Sequence, residues 1–151
     1  MPLRLDHFAT APEGMEALRR VYAYAAGSGF DPGLLQLVSL RVSQINNCLS
    51  CAQVHFRELQ RRGTDLVKLL QVPLWRDAGA LFDARERASL AWAEAVTDIA
   101  DTRVPDADYE AARMVFGEKE LTDLTIAIGV INVYNRLAIS FRASPVMAGV
   151  H

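Results

Sequence analysis

Two stretches of this chain are apolar on nearly every side of a helix, and that feature restricts the fold more than any other. Between Pro32 and Asn46 stand Leu34, Leu35, Leu37, Val38, Leu40, Val42 and Ile45. Between Glu118 and Arg142 stand Leu124, Ile126, Ile128, Val130, Ile131, Val133, Leu137 and Ile139. A helix apolar all round lies inside a domain or in a subunit interface. Strand patterns are scarce, and apolar residues recur at helical spacing along most of the chain. The expectation is an all-α fold. Two such helices exceed what one small core needs, which points to a homo-oligomer.

Capping signals divide the rest. A first helix runs from Pro12, a good first helical position, to Gly27 before "SG". Asp31 before Pro32 opens the second. The third runs from Asn47 to Arg62, with Gly63 as its C-terminal cap. Thr64 is read as the cap of a short helix, "DLVKLLQV", that Pro73 stops. After the linker "PLWRDAGALF", Asp83 opens "ARERASLAWAEAVTDIA" and Asp106 opens "ADYEAARMVFG". The tail "ASPVMAGVH" reads as loose. This gives six to seven helices in one domain over residues 1–151, with no repeat or internal linker.

Composition excludes some functions. Net charge is −2 and no basic stripe is present, so nucleic acid is not an expected partner. The start, "MPLRLDHFATAPEG", lacks an apolar segment of signal-peptide length. The least charged stretch, "LTIAIGVINVYN" at 124–135, is too short to span a bilayer. The reading is a cytoplasmic protein with no membrane partner. Thiols there are mostly kept reduced, which disfavours a purely structural disulfide.

Against that background "SQINNCLSCAQVHFRELQRRG", residues 43–63, stands out, because it holds the chain's only two cysteines and one of its three histidines. A redox centre, a metal site and a structural staple are all open. Cys48 is expected in the first turn of the third helix, where free N–H groups and the helix dipole favour a thiolate. Cys51 follows one turn later on the same face. Helical i, i+3 side chains lie about 5–6 Å apart between Cβ atoms, and a disulfide needs roughly 3.8 Å. A pliable first turn can close that gap at some strain, which suits cycling better than permanent stapling. His55, four residues after Cys51, can take its proton or stabilise the thiolate as an imidazolium. Zinc wants four ligands; only Cys48, Cys51 and His55 cluster, and His7 and His151 lie near the ends. No metal is therefore expected.

The second helix carries a polar seam of Gln36, Ser39, Ser43 and Asn47, which needs partners because buried polar groups are costly when unpaired. The Cys/His face of the third helix is the natural candidate. Arg41 in the same helix is read as half of a structural ion pair. Trp75 and Trp92 read as core or interface anchors. Asn132, Asn135 and Arg136 fit neighbouring helix ends better than a pocket.

"LRVSQINNCLSCAQVHFRELQRRG" resembles the signature of the alkylhydroperoxidase D-like (AhpD-like) branch of the carboxymuconolactone decarboxylase superfamily. "FDARERASLAWAEAVT" and "LTDLTIAIGVINVYNRLAISFR" look like that family's later segments in the same order. The resemblance implies an all-α fold with a central helical hairpin, assembled as dimers, trimers or hexamers. It implies a thiol-dependent peroxidase or disulfide reductase without a bound cofactor. The residue matching Cys51 attacks the peroxide, that matching Cys48 captures the sulfenic acid, and that matching His55 belongs to a proton relay. A thiol or dithiol protein then reduces the disulfide.

Two departures follow. The family's relay usually has a glutamate twelve residues before the first cysteine, where this chain has Gln36. Glutamine can hydrogen-bond but cannot exchange a proton at neutral pH. A histidine sometimes found between the cysteines is replaced here by Leu49 and Ser50. Peroxidase activity weaker than in full-relay members is expected, with Gln36 orienting His55 or a water. The alternatives are a non-catalytic or sensor-type module and a lyase of the carboxymuconolactone decarboxylase kind, which would not need the cysteine pair.

Overall fold

The computed structural model describes residues 2–143. Among them the chain forms nine α-helices, two short 3₁₀ turns and no strand. The helices are α1 (His7–Thr10), α2 (Pro12–Gly27), α3 (Pro32–Ile45), α4 (Leu49–Arg61), α5 (Leu66–Leu70), α6 (Ala84–Thr97), α7 (Ile99–Thr102), α8 (Asp106–Arg113) and α9 (Glu118–Phe141). The 3₁₀ turns, Val72–Leu74 and Gly79–Leu81, lie between α5 and α6. The all-α expectation holds. The count exceeds six to seven because α1 and α7 have four residues each, too few to show a period. Of the tail "ASPVMAGVH", residues 144–151, including His151, lie outside the described residues.

The caps explain most boundaries. Asp31 accepts from the Leu34 N–H at 2.7 Å, and Asp83 forms a reciprocal capping box with Glu86. Gly63 ends α4 with a φ of 83°, the left-handed region that glycine enters without penalty. Two expectations are corrected. Asp65, not Thr64, caps α5, because its carboxylate accepts from the Val67 and Lys68 N–H groups. Pro105 occupies the cap of α8, and Asp106 lies inside the first turn, where its charge still complements the dipole.

Helix α3 is the centre, packed against α4, α6 and α9, while α2 lies against α9. Leu34, Leu37, Val38, Leu40 and Val42 join Leu90, Trp92, Phe116, Leu124, Ile128 and Ile131 in one apolar cluster. One chain thus buries nearly all of α3 without a second copy. Helix α9, by contrast, leaves Val133 and Ile139 exposed. At 24 residues α9 is long and apolar enough to cross a membrane by length and composition alone, beyond the twelve-residue stretch read from the sequence. Its inner side nevertheless packs in the cluster just named, with Asp123, Asn132 and Asn135 buried along it.

Arg41 finds its partner in α6, where it bonds Glu94 at 2.7 Å. Trp75 Nε1 donates to the same carboxylate at 2.9 Å, and Arg76 pairs with it too. Burial alone would raise the Glu94 pKa, but these three donors outweigh it and hold the carboxylate ionised below its usual range. Trp92 donates to Thr125 at 2.9 Å, tying α6 to α9.

Candidate active site

The site is made by the turn between α3 and α4. Its backbone reverses over Asn46 and Asn47, and Asn47 takes a φ of 55°, a left-handed conformation that asparagine tolerates better than most residues. The Cys48 N–H then donates to the Ser43 carbonyl at 2.8 Å. Cys48 is therefore the N-cap of α4 and does not sit in its first turn, as the sequence reading had it. The difference matters. A cap residue has non-helical φ and ψ, here −85° and 88°, so its side chain is free of the helical i, i+3 spacing. Cys48 and Cys51 are joined as a disulfide across a Cα–Cα distance of 5.4 Å.

The two sulfurs differ in surroundings. Cys48 is buried at 2% exposure, whereas Cys51 is half-buried. The hydroxyl of Ser50 reaches both, at 3.5 Å from Cys48 Sγ and 3.9 Å from Cys51 Sγ. A disulfide sulfur has no proton, so Ser50 is the donor in this state. No side chain caps α4, which leaves its first-turn N–H groups available to a developing thiolate.

His55 lies one turn beyond Cys51 on the same helix and is 8% exposed. Its Nδ1 lies 2.8 Å from Gln36 Oε1. A carbonyl oxygen only accepts, so Nδ1 carries the proton and the lone pair is on Nε2. Gln36 in turn donates from Nε2 to the Tyr22 hydroxyl at 3.1 Å. Burial lowers the His55 pKa to about 4, so the ring is neutral at physiological pH. Of the two roles read for His55, proton acceptor and imidazolium, this environment favours the first.

That shift has a consequence for stability. An unfolded histidine titrates near 6.5, and the folded one near 4. Between these values the unfolded state binds more protons, so stability is complete above about pH 6.5 and falls as pH drops toward 4. The expected loss is on the order of 3 kcal/mol. Urea unfolding at pH 7 and pH 4 should show it in the wild type, and a His55→Gln variant should lose correspondingly less.

The polar seam of α3 divides between partners. Gln36 meets His55 as expected, but Ser39 bonds the Leu35 carbonyl of its own helix at 2.7 Å. Ser43 accepts from Asn135 Nδ2 at 3.2 Å. Asn47 is exposed and outside the seam, because the left-handed turn carries it outward. A second polar group escaped the sequence reading. Asn46 Nδ2 donates to Asn132 Oδ1 at 2.9 Å and Asn135 Oδ1 at 3.0 Å. Arg136 also donates to Asn132, at 3.2 Å. Asn132, Asn135 and Arg136 therefore satisfy a helix end, and that end carries the cysteine turn. Asn135 is 1% exposed, so Asn135→Ala would remove the partner of Ser43 and one of the two acceptors of Asn46. We expect a loss on the order of 2 kcal/mol in unfolding free energy, checked by urea denaturation.

Among the described residues no group of three or more His, Cys, Asp or Glu side chains is placed to hold a metal ion. His7 lies far along the chain, tilted against Phe8 and stacked on Phe141.

A model of the carboxymuconolactone decarboxylase family matches residues 12–95, more than half of the chain and the whole of the α3–α4 hairpin. The chain belongs to that family. Within it the likeness is to the AhpD-like branch. A protein of unknown function from Agrobacterium tumefaciens, named as a candidate AhpD antioxidant defence protein, superposes with a TM-score of 0.90 at 34% identity, covering 95% of this chain and 97% of that one. An uncharacterized peroxidase-related protein from Ralstonia eutropha JMP134, an alkylhydroperoxidase AhpD core, gives 0.76 at 25% identity over 91% and 73% of the two chains. The uncharacterized protein YdfG of Bacillus subtilis (strain 168) is 29% identical over 140 residues, 93% of this chain and 95% of its own length. The match to an AhpD-like carboxymuconolactone decarboxylase fold thus covers both helices of the hairpin, Gln36 included.

Proposed function

We propose that this family member is a thiol-dependent oxidoreductase that reduces hydroperoxides, or a disulfide of a partner, through Cys48 and Cys51. The observation that carries the reading is the Cys48–Cys51 disulfide at an uncapped helix N-terminus, with a neutral His55 one turn away. Membership of the AhpD-like branch supports it.

In this mechanism the reduced Cys51 thiol gives its proton to His55 Nε2. The thiolate attacks one oxygen of the hydroperoxide; an S–O bond forms, the O–O bond breaks, and the alkoxide leaves as the alcohol with the proton held by His55. Cys48 then attacks the Cys51 sulfenic acid, forming the S–S bond and expelling water. The exposure difference supports this division of roles, since the half-buried Cys51 can meet a substrate that the buried Cys48 cannot. Reduction runs in the opposite sense. A dithiol protein attacks Cys51 Sγ and Cys48 leaves as a thiolate at the helix cap, where backbone N–H groups favour it. The partner's second thiol then releases Cys51 and carries the disulfide away. No cofactor takes part.

Gln36 and the low basicity of His55 set the expected pace. A base near pKa 4 lies well below operating pH and transfers protons less effectively than one near 7. The activity is slow for this chemistry. The test is loss of an alkyl hydroperoxide in the presence of a dithiol reductant. No consumption above the reductant's own background would reject the peroxidase form of the reading.

The reading extends to place and assembly. The protein is a cytoplasmic homo-oligomer; the exposed row Leu66, Val67, Leu70 and Leu74 along α5 and the turn after it supports the assembly. A sedimentation experiment that finds only monomer would reject the assembly.

A further inference from the structure

Glutamine differs from glutamate in one respect that matters here: its two ends are not equivalent. A carboxylate offers His55 an acceptor whichever way it turns. A carboxamide offers either an acceptor or an N–H, and the two orientations select opposite imidazole tautomers. With Oε1 toward the ring, Nδ1 carries the proton and Nε2 keeps the lone pair. With the amide N–H toward the ring, Nδ1 is bare, Nε2 is protonated, and no basic nitrogen remains for Cys51.

The structure has the first orientation, with His55 Nδ1 at 2.8 Å from Gln36 Oε1. The far end of the same carboxamide donates to the Tyr22 hydroxyl at 3.1 Å. Tyr22 belongs to α2, outside the hairpin that carries the cysteines. Its ring packs against the core and sits edge-on to Tyr134, with 6.4 Å between centroids. We propose that Tyr22 is a positioning residue: its hydroxyl accepts the Gln36 N–H, so that the carboxamide orientation which keeps a free lone pair on His55 Nε2 leaves no donor unpaired.

A hydroxyl can also donate, so with Tyr22 present either carboxamide orientation is paired, and only without it does one orientation orphan a donor. In the observed orientation a part-buried amide N–H would lose its acceptor. In the reversed orientation that N–H pairs with the bare Nδ1, and only a carbonyl lone pair goes unused. Buried N–H groups are left unpaired more rarely than carbonyls, so removing the hydroxyl favours reversal. Burial raises the Tyr22 pKa, and Glu58, Arg62 and the Gln36 amide act on it as well; the phenol stays protonated at neutral pH. The inference rests on the reading of His55 as proton acceptor for Cys51, but its first test does not use that activity.

The experiment is a long-range proton–nitrogen correlation spectrum of the histidines in the oxidised full-length protein at pH 7. The wild type is expected to show His55 with a proton on Nδ1 and a bare Nε2. Tyr22→Phe, which keeps the ring, should move the proton to Nε2 and slow hydroperoxide reduction by about tenfold. Tyr22→Phe combined with Gln36→Glu should restore the Nδ1–H tautomer, because a carboxylate accepts at either end. Loss of packing alone would not be rescued in that way. Tyr134→Phe should leave the tautomer unchanged. A wild-type spectrum with the proton on Nε2 would overturn the proposal before any variant is made, and so would a Tyr22→Phe spectrum identical to wild type. If the tautomer moves as described in a protein that consumes no hydroperoxide, the positioning stands and the peroxidase reading fails.

Discussion

Cys51→Ser should reduce hydroperoxide consumption to background, a loss on the order of a thousandfold or more. Cys48→Ser should behave differently and consume about one equivalent of hydroperoxide per chain before stopping. The asymmetry follows from the two environments. Cys51 is half-buried and able to meet substrate, while Cys48 is buried at 2% exposure. Without Cys51 no S–O bond can form. Without Cys48 the sulfenic acid forms but has no thiol within reach, so it should persist and be trapped by a sulfenic-acid reagent, detected by mass on Cys51. Wild-type rates in Cys51→Ser would remove the mechanism. Equal and complete loss in both variants, with no trapped species, would mean the pair acts only as a unit in disulfide exchange.

Gln36→Glu should raise hydroperoxide turnover by about tenfold or more. The substitution puts a carboxylate where Oε1 now stands, 2.8 Å from His55 Nδ1. An adjacent negative charge favours the imidazolium and opposes the burial that lowers the ring to about 4. The His55 pKa should therefore rise toward the ordinary histidine range, bringing the base closer to operating pH. Tyr22 can donate its hydroxyl proton to the new carboxylate, so the buried charge has two hydrogen-bond partners. The rate should then gain a pH dependence near the new pKa that the wild type lacks. A tenfold gain with that profile would identify the missing carboxylate as the limit on activity. No change in rate, with the His55 pKa raised, would mean that the chemistry does not pass through this relay.

Much of the scaffold was legible because it is written locally. Asp31 before Pro32, the Asp83–Glu86 box and Gly63 each fix a boundary through backbone groups within four residues, and α2 begins and ends where its proline and glycine place it. The apolar faces of α3 and α9 marked the core for the same reason. Thr64 and Asp65 are adjacent acceptors, and spacing alone does not say which one turns back onto the helix. The cysteines, His55 and Gln36 could be placed on facing helices from their register. What the register could not show is anything closed by distant contacts. Asn46 meets Asn132 and Asn135 across 86 and 89 residues, and Tyr22 reaches Gln36 from a different helix. Asn46 did carry a signal, since two asparagines in a helix-to-helix turn invite one to take the left-handed conformation and the other to bond inward. The placement of Cys48 as the cap followed from that turn.

The central claim is that the sulfur pair opens and closes in the folded protein, and its reduction potential tests this most directly. The pair should be titrated in dithiothreitol buffers of defined ratio, with free thiols counted by alkylation and folding followed by circular dichroism. The expected result is a reversible two-electron transition between about −300 and −180 mV with the helices intact throughout, the range of working thiol–disulfide proteins. A potential well below about −300 mV, where structural disulfides lie, or a pair that reduces only as the helices melt, would contradict the account and leave Cys48–Cys51 a staple.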